Sequence, residues 1–249
     1  MNPNSNINKH FNNNGNQKTD TLKIAVFGDI HGCFHTLSEL YDKVLKTVDK
    51  NSIYSVGDLI DRGEYSKNVL QFCVDNGIKP VMGNHEHITT CVIENPEGKY
   101  LDYNNRNLDV FVSNGGRKTQ YSFVNSSSIF GFYKFREEFI DSDFFKFIKS
   151  LPFKYEFEKV IITHGGITHN SEEIDWIWNR NMPDKMDKLQ IHGHTPCKGE
   201  IDYIENHYIN IDTGCVYGYK LSCAVVDKKN GQIIEILQEN LRKEDNTKV

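Results

Sequence analysis

The chain has 249 residues, 38% hydrophobic, 25% charged and 12% aromatic, an ordinary globular balance that excludes collagen-like, coiled-coil and wholly disordered chains. Its 29 Lys and Arg against 34 Asp and Glu give a net charge of −5, which argues against a general nucleic-acid binder with a concentrated basic face. No apolar run reaches the ~18 residues that a membrane span needs.

Residues 1–20 are rich in Asn and nearly free of apolar side chains. They lack the apolar stretch of a secretory signal and read as a disordered tail. From Lys23 the texture changes. Lys23–Asp29 predicts a buried strand and Cys33–Val48 a helical stripe. Ile53–Gly57 predicts a second strand, Ser66–Asn76 a second helix stopped by Gly77, and Lys79–Gly83 a third strand. This βαβαβ order implies parallel strands. Residues 92–158 are less regular and crowded with Phe and Tyr, which read as core packing, with a helix around Phe144–Ile148 before Pro152. Lys159–Thr163, Leu189–Ile191 and Tyr208–Ile211 predict three more strands, and Leu221–Val226 with Gln232–Leu237 a terminal hairpin. Residues 241–249 read as a polar C-terminal tail. The six cysteines are scattered without a CxxC pair and read as reduced thiols of a cytoplasmic protein.

Each early strand ends in a polar cluster: Gly28-Asp29-Ile30-His31-Gly32, then Gly57-Asp58-Leu59-Ile60-Asp61-Arg62-Gly63, then Gly83-Asn84-His85-Glu86. The carboxyl ends of parallel strands share one edge, so Asp29, His31, Asp58, Asn84 and His85 should converge there. Later strands add Thr163-His164-Gly165-Gly166 and His192-Gly193-His194-Thr195. Oxygen and imidazole donors without thiolate suit Mn²⁺, Fe or Zn²⁺ rather than Ca²⁺ or Cu(I). The donors are too many for one ion and would serve two about 3.5–4 Å apart, bridged by a carboxylate. His192 lies inside a strand and reads as packing.

The strings GDIHG, GDLIDRG, GNHE, THGG, WNR and GHT resemble those of the phosphoprotein phosphatase branch of the calcineurin-like metallophosphoesterases, nearest to small bacterial and bacteriophage lambda-type Ser/Thr protein phosphatases. The resemblance runs from about Lys23 to Val226 and includes Asn114-Gly115-Gly116, Ser150-Leu151-Pro152 and Ile211-Asp212-Thr213-Gly214. It implies an α/β fold of two packed mixed β-sheets flanked by helices, here over residues 21–240. It also implies that Asp29 and His31 bind a first metal, that Asp58 bridges, and that Asn84, His164 and His194 complete a second. Mn²⁺ is the expected ion, with Fe or Zn²⁺ as alternatives. A metal-bound hydroxide would attack phosphorus directly, with His85 as general acid oriented by Asp61, and with Arg62, Arg180 and Asn84 holding phosphate. The expected substrate is a phosphorylated protein or small phosphate ester. No nucleic-acid surface, membrane or obligate partner is expected. Tyr217 and Tyr219 would lie near the site.

A symmetrical dinucleoside tetraphosphate hydrolase of the same superfamily is the alternative. Those enzymes commonly depart from these strings at the positions of His31 and Asp61, both retained here, and carry GNHD where this chain has GNHE. A third reading, an inactive binding scaffold, would predict lost ligands, and none is missing.

Overall fold

The computed structural model describes residues 22–101 and 105–246. The Asn-rich segment expected to be a tail lies outside them, as do residues 247–249.

β1 (Lys23–Phe27) serves two cores at once, as the alternation of a strand dictates. Ala25 and Phe27 face the helices, and Ile24 and Val26 face a second sheet. β1 pairs in parallel with β2 (Ile53–Ser55), which pairs in parallel with β3 (Lys79–Pro80). On its other side β1 pairs antiparallel with β9 (Lys220–Asp227), itself in a hairpin with β10 (Ile233–Asn240). The first sheet therefore runs β10-β9-β1-β2-β3. β3 is shorter than its apolar run suggests. Pro80 has no N–H to extend a ladder, and the Met82 N–H donates to the Pro152 carbonyl instead.

Helices α1 (Phe34–Val44) and α2 (Ser66–Asn76) connect these strands, and α3 (Asn84–Glu94) follows β3 directly. The aromatic-rich region forms four helices, α4 (Asn107–Ser113), α5 (Gly116–Val124), α6 (Ile129–Ile140) and α7 (Asp143–Lys149). Phe111, Phe132, Phe135, Phe139 and Phe145 from these helices are buried in one core with Leu37, Leu40, Val69 and Leu70, so the aromatic cluster is packing.

The second sheet comprises β4 (Tyr155–Glu156), β5 (Val160–Ile162), β6 (Leu189–His192), β7 (Asp202–Ile204) and β8 (Tyr208–Asn210), in the order β4-β5-β6-β8-β7. β5, β6 and β8 are parallel, and the edge strands are antiparallel. Short α8 (Glu173–Trp176) lies between β5 and β6. Val160, Ile162, Ile191, Ile209 and Ile211 meet Ile24, Val26, Val56 and Val81 in the inter-sheet core. That packing brings the carboxyl ends of β1, β2, β5, β6 and β8 to one edge.

The C-terminal residues differ from the expected tail. The Leu241 N–H donates to the Tyr219 carbonyl, and Asp245 is buried. Its carboxylate accepts the N–H groups of His35 and Thr36 at 3.2 and 2.6 Å and the Thr36 hydroxyl at 2.7 Å. Cys33, the residue before α1, makes no side-chain cap. A residue two hundred positions away thus satisfies the first N–H groups of that helix. All six cysteines are free thiols, and no helix of the described residues is long and apolar enough to cross a membrane.

Candidate metal centre

The loop after β1 carries Asp29 and His31, and the loop after β2 carries Asp58, Asp61 and Arg62. The N-terminus of α3 carries Asn84 and His85, and the strands β5 and β6 deliver His164 and His194. All except Arg62 are buried. His31, Asp58, Asp61, Arg62 and His194 all have positive φ, between 46° and 70°. These non-glycine residues stand in the left-handed region at about 1–2 kcal/mol each, so the surrounding contacts must hold them. Two glycines make room for the ligands. A Cβ on Gly193 would fall 2.0 Å from Asp29 Oδ1, and one on Gly83 2.3 Å from Asp58 Oδ1.

Glu86 does part of the holding. Its carboxylate accepts the N–H groups of Asp58 and Leu59 at 2.8 Å each and of Gly83 at 3.2 Å, tying the β2 loop to α3. Burial, then Asp58, pushes its carboxyl up to about 7.

The histidine tautomers follow from their partners. His31 Nδ1–H donates to the Ile60 carbonyl at 2.8 Å, and His164 Nδ1–H to the Val56 carbonyl at 2.7 Å. Each ring thereby turns an Nε2 lone pair into the site. His164 Nε2 lies 3.0 Å from Asn84 Oδ1, 3.1 Å from His194 Nδ1 and 3.4 Å from Asp58 Oδ1. His31 Nε2 lies 3.4 Å from Asp58 Oδ2, and His85 Nε2 3.8 Å from it.

Two sets of potential ligands result, His31–Asp58–His85 and Asp58–His164–His194, with Asp58 in both. Asp29 belongs to neither set. Its oxygens accept the His194 N–H at 3.2 and 3.3 Å. Burial, then Asp212, pushes the Asp29 carboxyl well above its usual range.

The centre fits divalent cations on its own geometry. Lone pairs of Asp58, Asn84, His164 and His194 face one another, and the buried His85 Nε2 and His194 Nε2 have no hydrogen-bond partner. Burial would lower the His164 pKa, but Asp58 and Asp29 reverse this and raise it to about 9, which shows how strongly the carboxylates around it favour positive charge. Burial would raise Asp58, but His164 and His85 hold it well below the usual carboxylate range. Burial, then His164, lowers His194 to about 2.

The groups expected to handle phosphate are also present. His85 Nδ1 is 2.7 Å from Asp61 Oδ2. Arg62 Nη1 donates to His31 Nε2 at 2.6 Å, and its guanidinium lies 5.6 Å from the centre of the Tyr217 ring. Arg180 is exposed at the rim, with Nη1 donating to the His194 carbonyl at 3.4 Å. His192 packs against Tyr208. Glu86 and Thr119, whose hydroxyl donates to Asp61 Oδ1 at 2.5 Å, support this site without a sequence signal of their own. Glu86 sits inside the GNHE string, whereas Thr119 had no local signal beyond its nearness to Asn114-Gly115-Gly116.

Two mixed sheets bring their strand ends together on buried carboxylate, amide and imidazole donors that could hold divalent ions. The sequence profile described as calcineurin-like phosphoesterase matches residues 22–234, and the chain belongs to that family. A symmetrical bis(5'-nucleosyl)-tetraphosphatase of Haemophilus ducreyi is 40% identical over 63 residues, 24% of this chain and 23% of that protein. Such matches span about a quarter of those relatives' length. An asymmetrical bis(5'-nucleosyl)-tetraphosphatase of Halalkalibacterium halodurans is 27% identical over 241 residues, covering 81% of this chain and 89% of that protein. A solved structure described as a candidate diadenosine tetraphosphatase aligns with TM-score 0.63 and 19% identity over 91% of this chain and 97% of the other. A protein serine/threonine phosphatase of Saccharomyces cerevisiae aligns with TM-score 0.57 and 15% identity over 94% and 84%. At these identities the solved structures speak to the fold alone.

Proposed function

We propose that the chain is a phosphomonoesterase of the phosphoprotein phosphatase branch, acting on phosphoserine or phosphothreonine. The observation that carries this reading is the buried His85–Asp61 pair, 2.7 Å apart, with His85 Nε2 unpartnered beside Asp58. An alkoxide leaving group is strongly basic and needs a proton, which such an acid supplies at a gain of about 10²–10⁴-fold.

Asp29, His31, Asp58, Asn84, His164 and His194 would hold two divalent ions, with Mn²⁺ favoured over Fe or Zn²⁺. Bound there, the ions supply Lewis acidity toward phosphate and lower the pKa of water. Asp61 accepts the His85 Nδ1–H and so directs Nε2, which carries the proton to the leaving oxygen. Arg62 and Arg180 present guanidinium groups to the phosphate oxygens. The Asn84 amide, already turned toward the His164 ring, is the further phosphate contact. The free thiols support a cytoplasmic setting, and no obligate partner is proposed.

A second reading, dinucleoside tetraphosphate hydrolysis, is favoured by the names of the curated relatives, one of them similar along most of its length. The leaving group of a phosphoanhydride is a nucleotide phosphate, far less basic than an alkoxide, and it depends less on an acid. One assay separates the two. Turnover of a phosphoserine peptide, a phosphotyrosine peptide and diadenosine tetraphosphate is measured side by side with added Mn²⁺. Preference for the phosphoserine peptide is expected. Cleavage of the dinucleotide with neither peptide touched would replace the first reading by the second.

A further inference from the structure

We infer that Thr119 is the positioning residue of the acid pair, and that the start of α5, from Gly115 to Thr119, holds Asp61 and Arg62 in their consecutive left-handed conformations. This inference rests on the reading in which His85 and Asp61 act together as the acid.

Asp61 and Arg62 have φ of 70° and 67°, a pairing that side chains avoid. Contacts from outside the β2 loop bind both residues. The Arg62 N–H donates to the Gly115 carbonyl at 3.3 Å. Gly115 itself has φ 92°, and a Cβ there would stand 3.0 Å from Arg62 N, so the close approach requires glycine. The Asp61 N–H donates to Thr119 Oγ1 at 2.9 Å and is shared with Ser66 Oγ at 3.1 Å.

The Thr119 hydroxyl also returns its proton to Asp61, donating to Oδ1 at 2.5 Å. Asp61 Oδ2 is left for His85 Nδ1 at 2.7 Å. Each carboxylate oxygen thus has its own partner, so the group cannot rotate about Cβ–Cγ without breaking one bond. Thr119, Asp61, Ser66 and His85 are all fully buried, so no water competes for these bonds. The hydroxyl on α5 fixes the carboxylate, the carboxylate fixes the ring, and the ring carries Nε2 to the reacting centre. The Asn114-Gly115-Gly116 string acquires a function from this geometry: it delivers the Gly115 carbonyl and opens the helix whose Thr119 hydroxyl shapes the GDLIDRG loop.

The test compares Thr119→Val, which keeps volume and removes the hydroxyl, with Thr119→Ser, which keeps the hydroxyl. Turnover of a phosphoserine peptide and of para-nitrophenyl phosphate is measured for both. Thr119→Val should lose about tenfold on the peptide, part of the about 10²–10⁴ that an acid contributes, and much less on the aryl ester. Thr119→Ser should retain the wild-type ratio. A second readout does not depend on activity. Long-range proton–nitrogen NMR of the metal-free full chain, with the His85 ring assigned through His85→Asn, should show altered His85 ring signals in Thr119→Val and wild-type signals in Thr119→Ser. If Thr119→Val does not fold, Thr119→Cys, a weaker and longer donor, takes its place with the same expected sign. Wild-type His85 signals in a folded Thr119→Val, or identical disturbance by the serine variant, would overturn the inference. Failure of the wild-type chain to cleave any monoester would instead count against the phosphatase reading, while the NMR comparison would still decide the role of Thr119.

Discussion

At the scale of single residues, His85 decides how the site works, because its position allows two roles. Its Nδ1 faces Asp61, as an acid held for proton transfer requires, yet its Nε2 belongs to a ligand set with His31 and Asp58. Leaving-group chemistry distinguishes them. His85→Asn should cut turnover of a phosphoserine peptide by about 10²–10⁴ and that of para-nitrophenyl phosphate far less. The kcat of the variant on both substrates at saturating Mn²⁺ measures this. Equal losses would make His85 a metal-holding group. Asp58 is the contrasting residue. It stands in both ligand sets, so Asp58→Asn should depress both substrates alike and more than most single ligand changes.

At the scale of elements, the ends of helices matter more than their middles. α1 begins three residues after His31, and its N–H groups end on Asp245 rather than on a neighbouring side chain. The helix dipole and the charge-assisted bonds favour a carboxylate there. Asp245→Ala should destabilise the chain by about 0.5–2 kcal/mol, as other cap losses do, lowering the melting temperature by about 2–4 °C per kcal/mol. Truncation after Asn240 should do at least as much. An unchanged thermal transition in both variants would mean that residues 241–246 lie on the surface without stabilising it. α3 depends on a similar device, since Glu86 joins its first turn to the amides of Asp58 and Leu59.

At the scale of the whole molecule, the centre joins two sheets. Asp29, Asp58 and Asn84 come from the first sheet's loops, and His164 and His194 from the second. Metal binding should therefore stabilise the entire fold, by about 4 kcal/mol at a thousandfold excess over the dissociation constant. The metal-free chain should also respond to pH. The His164 pKa is raised to about 9, above its ordinary value near 6.5. Its stabilising contribution is complete below the ordinary value and is lost as pH rises through about 9. Thermal unfolding in chelator should thus occur at lower temperature at pH 9.5 than at pH 7, and Mn²⁺ should raise the transition at both. A transition indifferent to chelator at every pH would contradict a metal-bridged pair of sheets.

Strands β1–β3, β5, β6 and β8–β10, their polar ends and the residues gathered at the site are legible in the sequence alone, whereas the short edge strands β4 and β7 are not. Asp29, His31, Asp58, Asn84, His85, His164 and His194 were legible because each follows an apolar run within a few residues. Strand direction alone then sends them to one edge. The α1 and α2 stripes and the terminal hairpin were legible for the same reason, since local periodicity reports local structure. Contacts between distant residues become visible only in the folded chain. The helices α4–α6 look irregular in the sequence, because their Phe residues are placed by a core shared with α1 and α2 rather than by a clean stripe of their own. Asp61 meets Thr119 across 58 residues, and Thr36 meets Asp245 across 209. Nothing local marks such pairs, because a hydrogen bond needs its two atoms within about 3 Å in space and sets no condition on their separation along the chain.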